Sequence, residues 1–296
     1  MNICRTKQQL KLAIKKAKEQ GQTIGFVPTM GYLHDGHASL LRAAKEENDI
    51  VVLSIFVNPM QFGPNEDLEK YPRDEERDLA VAASCHTDIV FIPSVEEMYP
   101  TKPLTSIKVA GVTERLCGAS RPGHFDGVGL VVSKLFHLVE PKHAYFGMKD
   151  AQQVAVIEQM VNDLDMNVTI VPCPIVREPD GLALSSRNVY LNANQRTEAT
   201  VLSQSLSELA QSLKLNEVMT AAQCIELITN NIKQTTGEID YVELLEYPSL
   251  HPIAKGQRLQ ELPSGQRFIV ALAVKYGSTR LIDNALFQVE EVIERV

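Results

Sequence analysis

Two histidines three residues apart, His34 and His37, stand in a stretch, PTMGYLHDGH, that also carries Gly31 and Gly36. Imidazoles donate to anionic oxygens, and glycines let a backbone approach a ligand closely. If this stretch opens a helix, its first N–H groups lack intrahelical partners and sit at the positive end of the macrodipole. The chemistry that suits such a place is phosphate binding. Two further segments combine similar residue types. Lys149 and Asp150, in FGMKDAQQ, offer a cation for a phosphate and a carboxylate that can cap a helix or accept from ribose hydroxyls. Ser185, Ser186 and Arg187, in GLALSSRN, place two hydroxyls and a guanidinium in one glycine-led loop, which suits a polyphosphate. Each segment also has a plainer reading when taken alone: a surface histidine pair or half of a metal site, a capping aspartate beside a solvated lysine, the N-terminal cap of the next helix. No Cys-x-x-Cys and no His-Glu-x-x-His completes a metal ligand set, so no resident metal is expected.

The elements that must position these groups follow from the apolar pattern. Residues 23–27 are an apolar run and 38–44 an amphipathic one, so the histidine stretch lies between a strand and a helix. Before it, residues 6–9 offer a capping box, with Leu10, Ala13, Ile14 and Ala17 at helical spacing. The chain is therefore expected to open with an amphipathic helix. Residues 50–57 are a continuous β-branched run of the kind buried in parallel sheets, ending in the loop NPMQFG. A helix over 74–84, strands at 88–92 and 105–110, a buried helix over 128–139, a strand at 144–147, a helix over 151–163 and a strand at 168–171 follow. This alternation predicts an α/β fold, a Rossmann-like doubly wound parallel sheet, whose ligands bind at the C-terminal strand edge. Prolines at 172, 174 and 179 then interrupt the pattern, and residues 176–181 are the expected hinge between domains. Helical patterns over 195–213 and 219–234 and strand patterns at 239–247, 267–275 and 279–287 predict a smaller α+β layer. The expected domains are 1–176 and 177–296.

Composition narrows the function classes. The chain has 296 residues, 44% of them hydrophobic, enough for a substantial core. A formal charge of −8 argues against nucleic-acid binding, and no apolar run is long enough for a membrane span or the core of a signal peptide. Five cysteines at unrelated spacings suit reduced thiols packed in the core of a cytoplasmic enzyme better than a disulfide frame.

The tetrad HDGH resembles the HIGH signature of the class I aminoacyl-tRNA synthetase and nucleotidylyltransferase superfamily, and GLALSSRN resembles its flexible KMSKS-type loop, with Arg187 for the usual lysine. The longer string PTMGYLHDGHASLLRAAK, together with FVNPMQF, KYPR, RPGHF, FGMKDAQQ and VREPDGLALSSRN, resembles the pantoate–β-alanine ligase (pantothenate synthetase) family over nearly the whole chain. The resemblance implies a two-step reaction in which pantoate and ATP give pantoyl adenylate and pyrophosphate, and β-alanine then gives pantothenate and AMP. Mg2+ is expected to travel with ATP, and the family's dimeric habit implies a homodimer.

By the same resemblance His34, His37 and Lys149 are catalytic, with His37 the proton donor. Met30, Gly147, Asp150 and Val176 line the adenosine side, Lys149, Ser185, Ser186 and Arg187 close over the β- and γ-phosphates, and Gly31 and Leu184 also belong to the ATP site. Gln61 and Gln153 match the pantoate-binding glutamines; Asn58, Tyr71 and Arg121 match further substrate positions. Leu184 stands where some members carry methionine, a change of similar volume. His124 and His137 are read as structural. Two rivals are an adenylyltransferase that leaves AMP on its product and an idle nucleotide-binding subunit.

Overall fold

The computed structural model describes residues 1–64, 66–215 and 218–289. These fall into two compact units. The first comprises Met1–Ala110, Arg121–Met148 and Val156–Val176; the second comprises Gly111–Ser120, Lys149–Ala155 and the described residues from Arg177 on. Segments 111–120 and 149–155 thus group with the chain beyond residue 177.

The first unit is built on six parallel strands: β1 Asn2–Cys4, β2 Ile24–Thr29, β3 Ile50–Ile55, β4 Ile89–Phe91, β5 His143–Gly147 and β6 Thr169–Cys173, in the order β1-β4-β3-β2-β5-β6. The chain runs outward from β2 through β3 to β4, then returns to place β5 on the other side of β2. The order therefore reverses between β2 and β5, and the C-terminal end of β2 is a switch point, where doubly wound sheets bind ligands. Apolar residues on both faces of β2 and β3 are fully buried, as parallel strands covered on both sides require.

The helices along this part of the chain are α1 Lys7–Glu19, α2 Asp35–Glu47, α3 Glu75–Ser84, α4 Val95–Met98, α5 Leu116–Ser120, α6 His124–Val139 and α7 Ala151–Asp163, of which α5 and the start of α7 belong to the second unit. The expected capping box is present in α1: the Gln9 N–H donates to Thr6 Oγ1 at 3.2 Å and the Thr6 N–H to Gln9 Oε1 at 3.1 Å. Asp74 caps α3, its side chain accepting from the Arg77 N–H. Helix α6 is apolar nearly all round and buried along most of its length.

Two expectations of the first unit are corrected. The chain opens with β1, not with a helix; three residues are too few to show a period, and their pairing, Ile3 with Val90, is long-range. Residues 105–110 form no strand. Their alternation instead reflects packing: Val109 is buried, and Ile107 lies where a Cβ on Gly129 of α6 would approach within 3.1 Å.

The second unit carries an antiparallel sheet, β7 Glu238–Glu246, β8 Arg267–Tyr276 and β9 Thr279–Gln288, with helices α8 Ala193–Glu198, α9 Val201–Lys214 and α10 Ala221–Ile232. The single helix expected over 195–213 breaks at Ala199 and Thr200, where bonds from Thr200 N–H to Thr197 O and Leu202 N–H to Ala199 O tighten the turn. Alternate residues of β8, from Phe268 through Val270, Leu272 and Val274 to Tyr276, pack with Leu202, Leu206 and Leu209 of α9 and Cys224, Ile228 and Ile232 of α10. All five cysteines are buried and unpaired. Among the described residues no helix is long and apolar enough to cross a membrane.

Candidate active site

The stretch after β2 turns sharply. Gly31 has φ +85°, and a Cβ there would lie 2.9 Å from both Asp78 Oδ2 and Ile55 Cγ2, so glycine is required twice over. Asp78, buried on α3, accepts from the Tyr32 N–H at 2.9 Å and the Leu33 N–H at 2.6 Å, while the Arg77 guanidinium lies 4.7 Å over the Tyr32 ring. Burial raises the Asp78 carboxyl above its ordinary range, and the two backbone donors oppose that rise. Its role was missed from sequence, although Asp78, Ala82 and Cys85 share one helical face and a carboxylate among apolar neighbours is a signal.

The turn delivers His34 to the N-cap of α2 and His37 to the third helical position. The Gly36 N–H donates to His34 Nδ1 at 3.1 Å and the His34 N–H to His37 Nδ1 at 3.3 Å, with the ring centroids 4.1 Å apart. This is a capping box made from two imidazoles. Because both Nδ1 atoms accept from the backbone, this network assigns the proton of each neutral ring to Nε2. Each ring is thereby oriented as an Nε2–H donor at a helix N-terminus, an arrangement that suits an anion.

A second cluster of the first unit centres on Gln61, in the 3-10 turn Pro59–Gln61 that follows β3. Asn58 donates from Nδ2 to Gln61 Oε1 and to Gly127 O, both at 3.1 Å, and Tyr99 donates to Asn58 Oδ1 at 2.9 Å. Burial pushes the Tyr99 hydroxyl up to about 12, so it stays a donor. Gln61 Nε2 reaches Met30 Sδ at 3.4 Å, tying this cluster to the histidine turn. Gly127 of α6 admits the turn: a Cβ there would sit 2.2 Å from Met60 O.

Arg121 makes a bidentate pair with Glu66, at 2.7 and 2.6 Å, and its Nη1 donates to His124 Nε2 at 3.0 Å. His124 Nδ1 in turn donates to the Gln61 carbonyl at 2.8 Å. Read as structural from sequence, His124 thus stands in the Gln61 cluster, and its place in RPGHF beside Arg121 was the available signal. His137 bonds its own helix, Nδ1 to Ser133 O at 2.7 Å. Tyr71 is buried edge-on against Phe62. Gly147 ends β5, and a Cβ built on it meets nothing within 4 Å, so packing does not demand glycine there. Val176 lies just beyond β6 and is half-buried.

In the second unit Lys149 Nζ lies 3.6 Å from the Asp150 carboxylate, and both precede α7, which carries Gln153. Gln152 donates to Val112 O and Arg115 O, at 2.9 and 2.7 Å, which holds the start of α7 against segment 111–120. Ser185 caps the short 3-10 helix Ser186–Tyr190, accepting from the Arg187 N–H. Leu184 precedes it, and Ser186 is buried. Among the described residues no cluster of three or more His, Cys, Asp or Glu side chains could hold a metal.

A glycine turn leading into a helix start at the switch point of a parallel sheet is the arrangement of the doubly wound α/β proteins that bind phosphates. The Pantoate-beta-alanine ligase family model matches residues 2–286, and the chain belongs to that family of ligases. It is 52% identical over 290 residues to the pantothenate synthetase of Acetivibrio thermocellus, covering 98% of this chain and 100% of that one. It is 50% identical over 295 residues to the pantothenate synthetase of Bacillus pumilus, covering 100% and 99%. The crystal structure of pantothenate synthetase from Thermus thermophilus superposes with a TM-score of 0.88 at 42% identity, covering 98% and 100%. Pantoate-beta-alanine ligase from Francisella tularensis, complexed with beta-gamma ATP and beta-alanine, superposes with a TM-score of 0.77 at 37% identity, covering 97% of each chain.

Proposed function

We propose that this enzyme joins pantoate to β-alanine in two steps through a pantoyl adenylate. A carboxylate oxygen of pantoate attacks the α-phosphorus of ATP, the bond to the β-phosphate bridging oxygen breaks, and pyrophosphate leaves. The amine of β-alanine then attacks the acyl carbon, AMP leaves with the electron pair of the acyl–oxygen bond, and the amine loses a proton as the amide forms. No protein nucleophile is needed; the work is positioning and charge stabilisation.

The observation that carries this reading is the interlocked imidazole pair of His34 and His37, with both Nδ1 atoms bonded to the backbone and both rings presented as Nε2–H donors at the start of α2. In this reading His37 donates to the phosphate oxygens as charge develops and His34 secures the bound nucleotide. Lys149, Ser185, Ser186 and Arg187 hold the β- and γ-phosphates. Met30, Asp150 and Val176 line the adenosine side, Gly31 and Leu184 also belong to the ATP site, and the open space over Gly147 suits the close approach of a ligand. Gln61 and Gln153 bind pantoate, with Asn58, Tyr71 and Arg121 in support. Arg121 is already committed to Glu66, so its part is to brace the Gln61 turn through His124. Mg2+ enters as part of the nucleotide substrate, where it offsets charge on the phosphates. A homodimer and a cytoplasmic setting belong to the same reading, the latter supported by five buried, unpaired thiols.

Isotope exchange tests the route. Labelled pyrophosphate should exchange into ATP with pantoate present and β-alanine absent, and β-alanine should then yield AMP and pantothenate in equal amounts. Release of ADP would overturn the acyl-adenylate route, and AMP retained on the product would favour an adenylyltransferase.

A further inference from the structure

Two adjacent residues of β9, Asp283 and Asn284, are polar and nearly inaccessible, 2% and 6% exposed. Successive side chains of a strand point to opposite faces, so this dipeptide reaches both ways. Asp283 shares its face with Leu281 and Ala285, which pack in the helix-facing core. There it accepts both ends of the Arg177 guanidinium, at 2.7 and 2.9 Å. The same guanidinium donates to Gly181 O at 3.1 Å, and the backbone of Arg177 bridges that of Ala183. Asn188 closes the loop from its other end, donating to Glu178 Oε1 at 3.0 Å and to Ala183 O at 3.1 Å. The loop held this way is the one that carries residues 184–187. On the other face of β9, Asn284 Nδ2 donates to the backbone carbonyl of Lys149 at 3.0 Å. The two side chains are coupled, since the Asn284 N–H donates to Asp283 Oδ1 at 2.8 Å.

We propose that Asp283 and Asn284 are positioning residues for the ligation: one step of strand β9 sets Lys149 and the Ser185–Ser186–Arg187 loop in a common register, so that the phosphate-binding groups of the second unit act as one rigid set. The proposal rests on the reading that Lys149 and this loop hold the nucleotide's phosphates. Burying a carboxylate in a sheet costs more than burying an apolar side chain there, and charge pairing only offsets that cost. The polar pair therefore serves placement more than stability. Catalytic electrostatics are sensitive to shifts of an ångström or less, so register errors at Lys149 or Arg187 act on the rate.

A double-mutant cycle measured by pyrophosphate exchange and by the KM values for ATP and β-alanine tests this. Lys149→Ala should lower exchange by about 100-fold or more. Asn284→Ala should lower it roughly tenfold and leave the KM for β-alanine unchanged, but should have no further effect, within about twofold, in the Lys149→Ala background. A second cycle, Asp283→Asn with Arg187→Ala, keeps the strand's shape and should show the same loss of additivity. Equal factors in both backgrounds, or wild-type exchange in Asn284→Ala and Asp283→Asn, would overturn the positioning role. If Lys149→Ala and Arg187→Ala themselves exchange within twofold of wild type, it is the phosphate reading that has failed, and the inference built on it falls for that separate reason.

Discussion

The carboxylate of Asp78 on α3 holds the backbone of Leu33, accepting its N–H at 2.6 Å, and that bond sets the turn from which His34 caps α2. An acid remote in sequence thus shapes the histidine turn without being part of it.

Asp78→Ala would take away the acceptor of the buried Leu33 N–H and of the part-buried Tyr32 N–H. Stability should fall by about 2 kcal/mol or more, and activity should fall with it because the histidine turn relaxes. Asp78→Asn keeps one carbonyl acceptor and should lose less. Urea unfolding midpoints together with turnover check this; an alanine variant within about 0.5 kcal/mol of wild type would show the contact to be dispensable.

Gly127→Ala would drive a Cβ into Met60 O and the Gln61 N–H, 2.2 and 2.6 Å away, and both are backbone atoms that cannot swing aside. The expected outcome is a displaced Gln61 turn and a KM for pantoate raised roughly tenfold or more, with the KM for ATP less affected. Steady-state kinetics on variants with wild-type circular dichroism decide it. An unchanged pantoate KM would remove Gln61 from the substrate site.

His37→Ala should slow pyrophosphate exchange by about 100-fold to 1,000-fold, the usual loss for one oriented donor to developing charge, while the fold persists. His34→Ala also removes the cap of α2, so it should cost about 1 kcal/mol of stability and weaken ATP binding. Near wild-type exchange in a folded His37→Ala protein would contradict the role given to the imidazole pair.

The Glu66–Arg121 pair predicts a pH response. Burial pushes the Glu66 carboxyl up, but the hydrogen bonds and charge of Arg121 outweigh it and hold the group below the usual carboxylate range. For a depressed carboxyl the stabilising contribution is complete above the unfolded value, about 4.3, and is lost as pH falls through the folded one. The gap in melting temperature between wild type and Glu66→Gln should therefore be constant from pH 7 to about 5 and shrink in more acid solution. A gap independent of pH down to 3 would mean the pair contributes no charge-dependent stability.

Local pattern alone was enough for most of the chain. The β-branched runs that became β2 and β3, the Thr6–Gln9 capping box and the glycine turn before α2 are written within a few residues of one another, where propensity, capping and period-dependent burial act. The strand–helix alternation likewise implied a doubly wound sheet, and the motifs carried the family. The tertiary structure decided what depends on residues far apart in sequence. Strand β1 exists only because its three residues pair with β4, and the apparent strand at 105–110 dissolves because its alternate side chains are used in packing. The tautomer of the histidine pair, the Asp78 brace, the service of His124 to Gln61 and the reach of Asp283 and Asn284 to opposite faces of β9 are all hydrogen bonds of fixed geometry. A sequence states which donors and acceptors exist; only the folded backbone, by closing the distances between them, determines which of them meet.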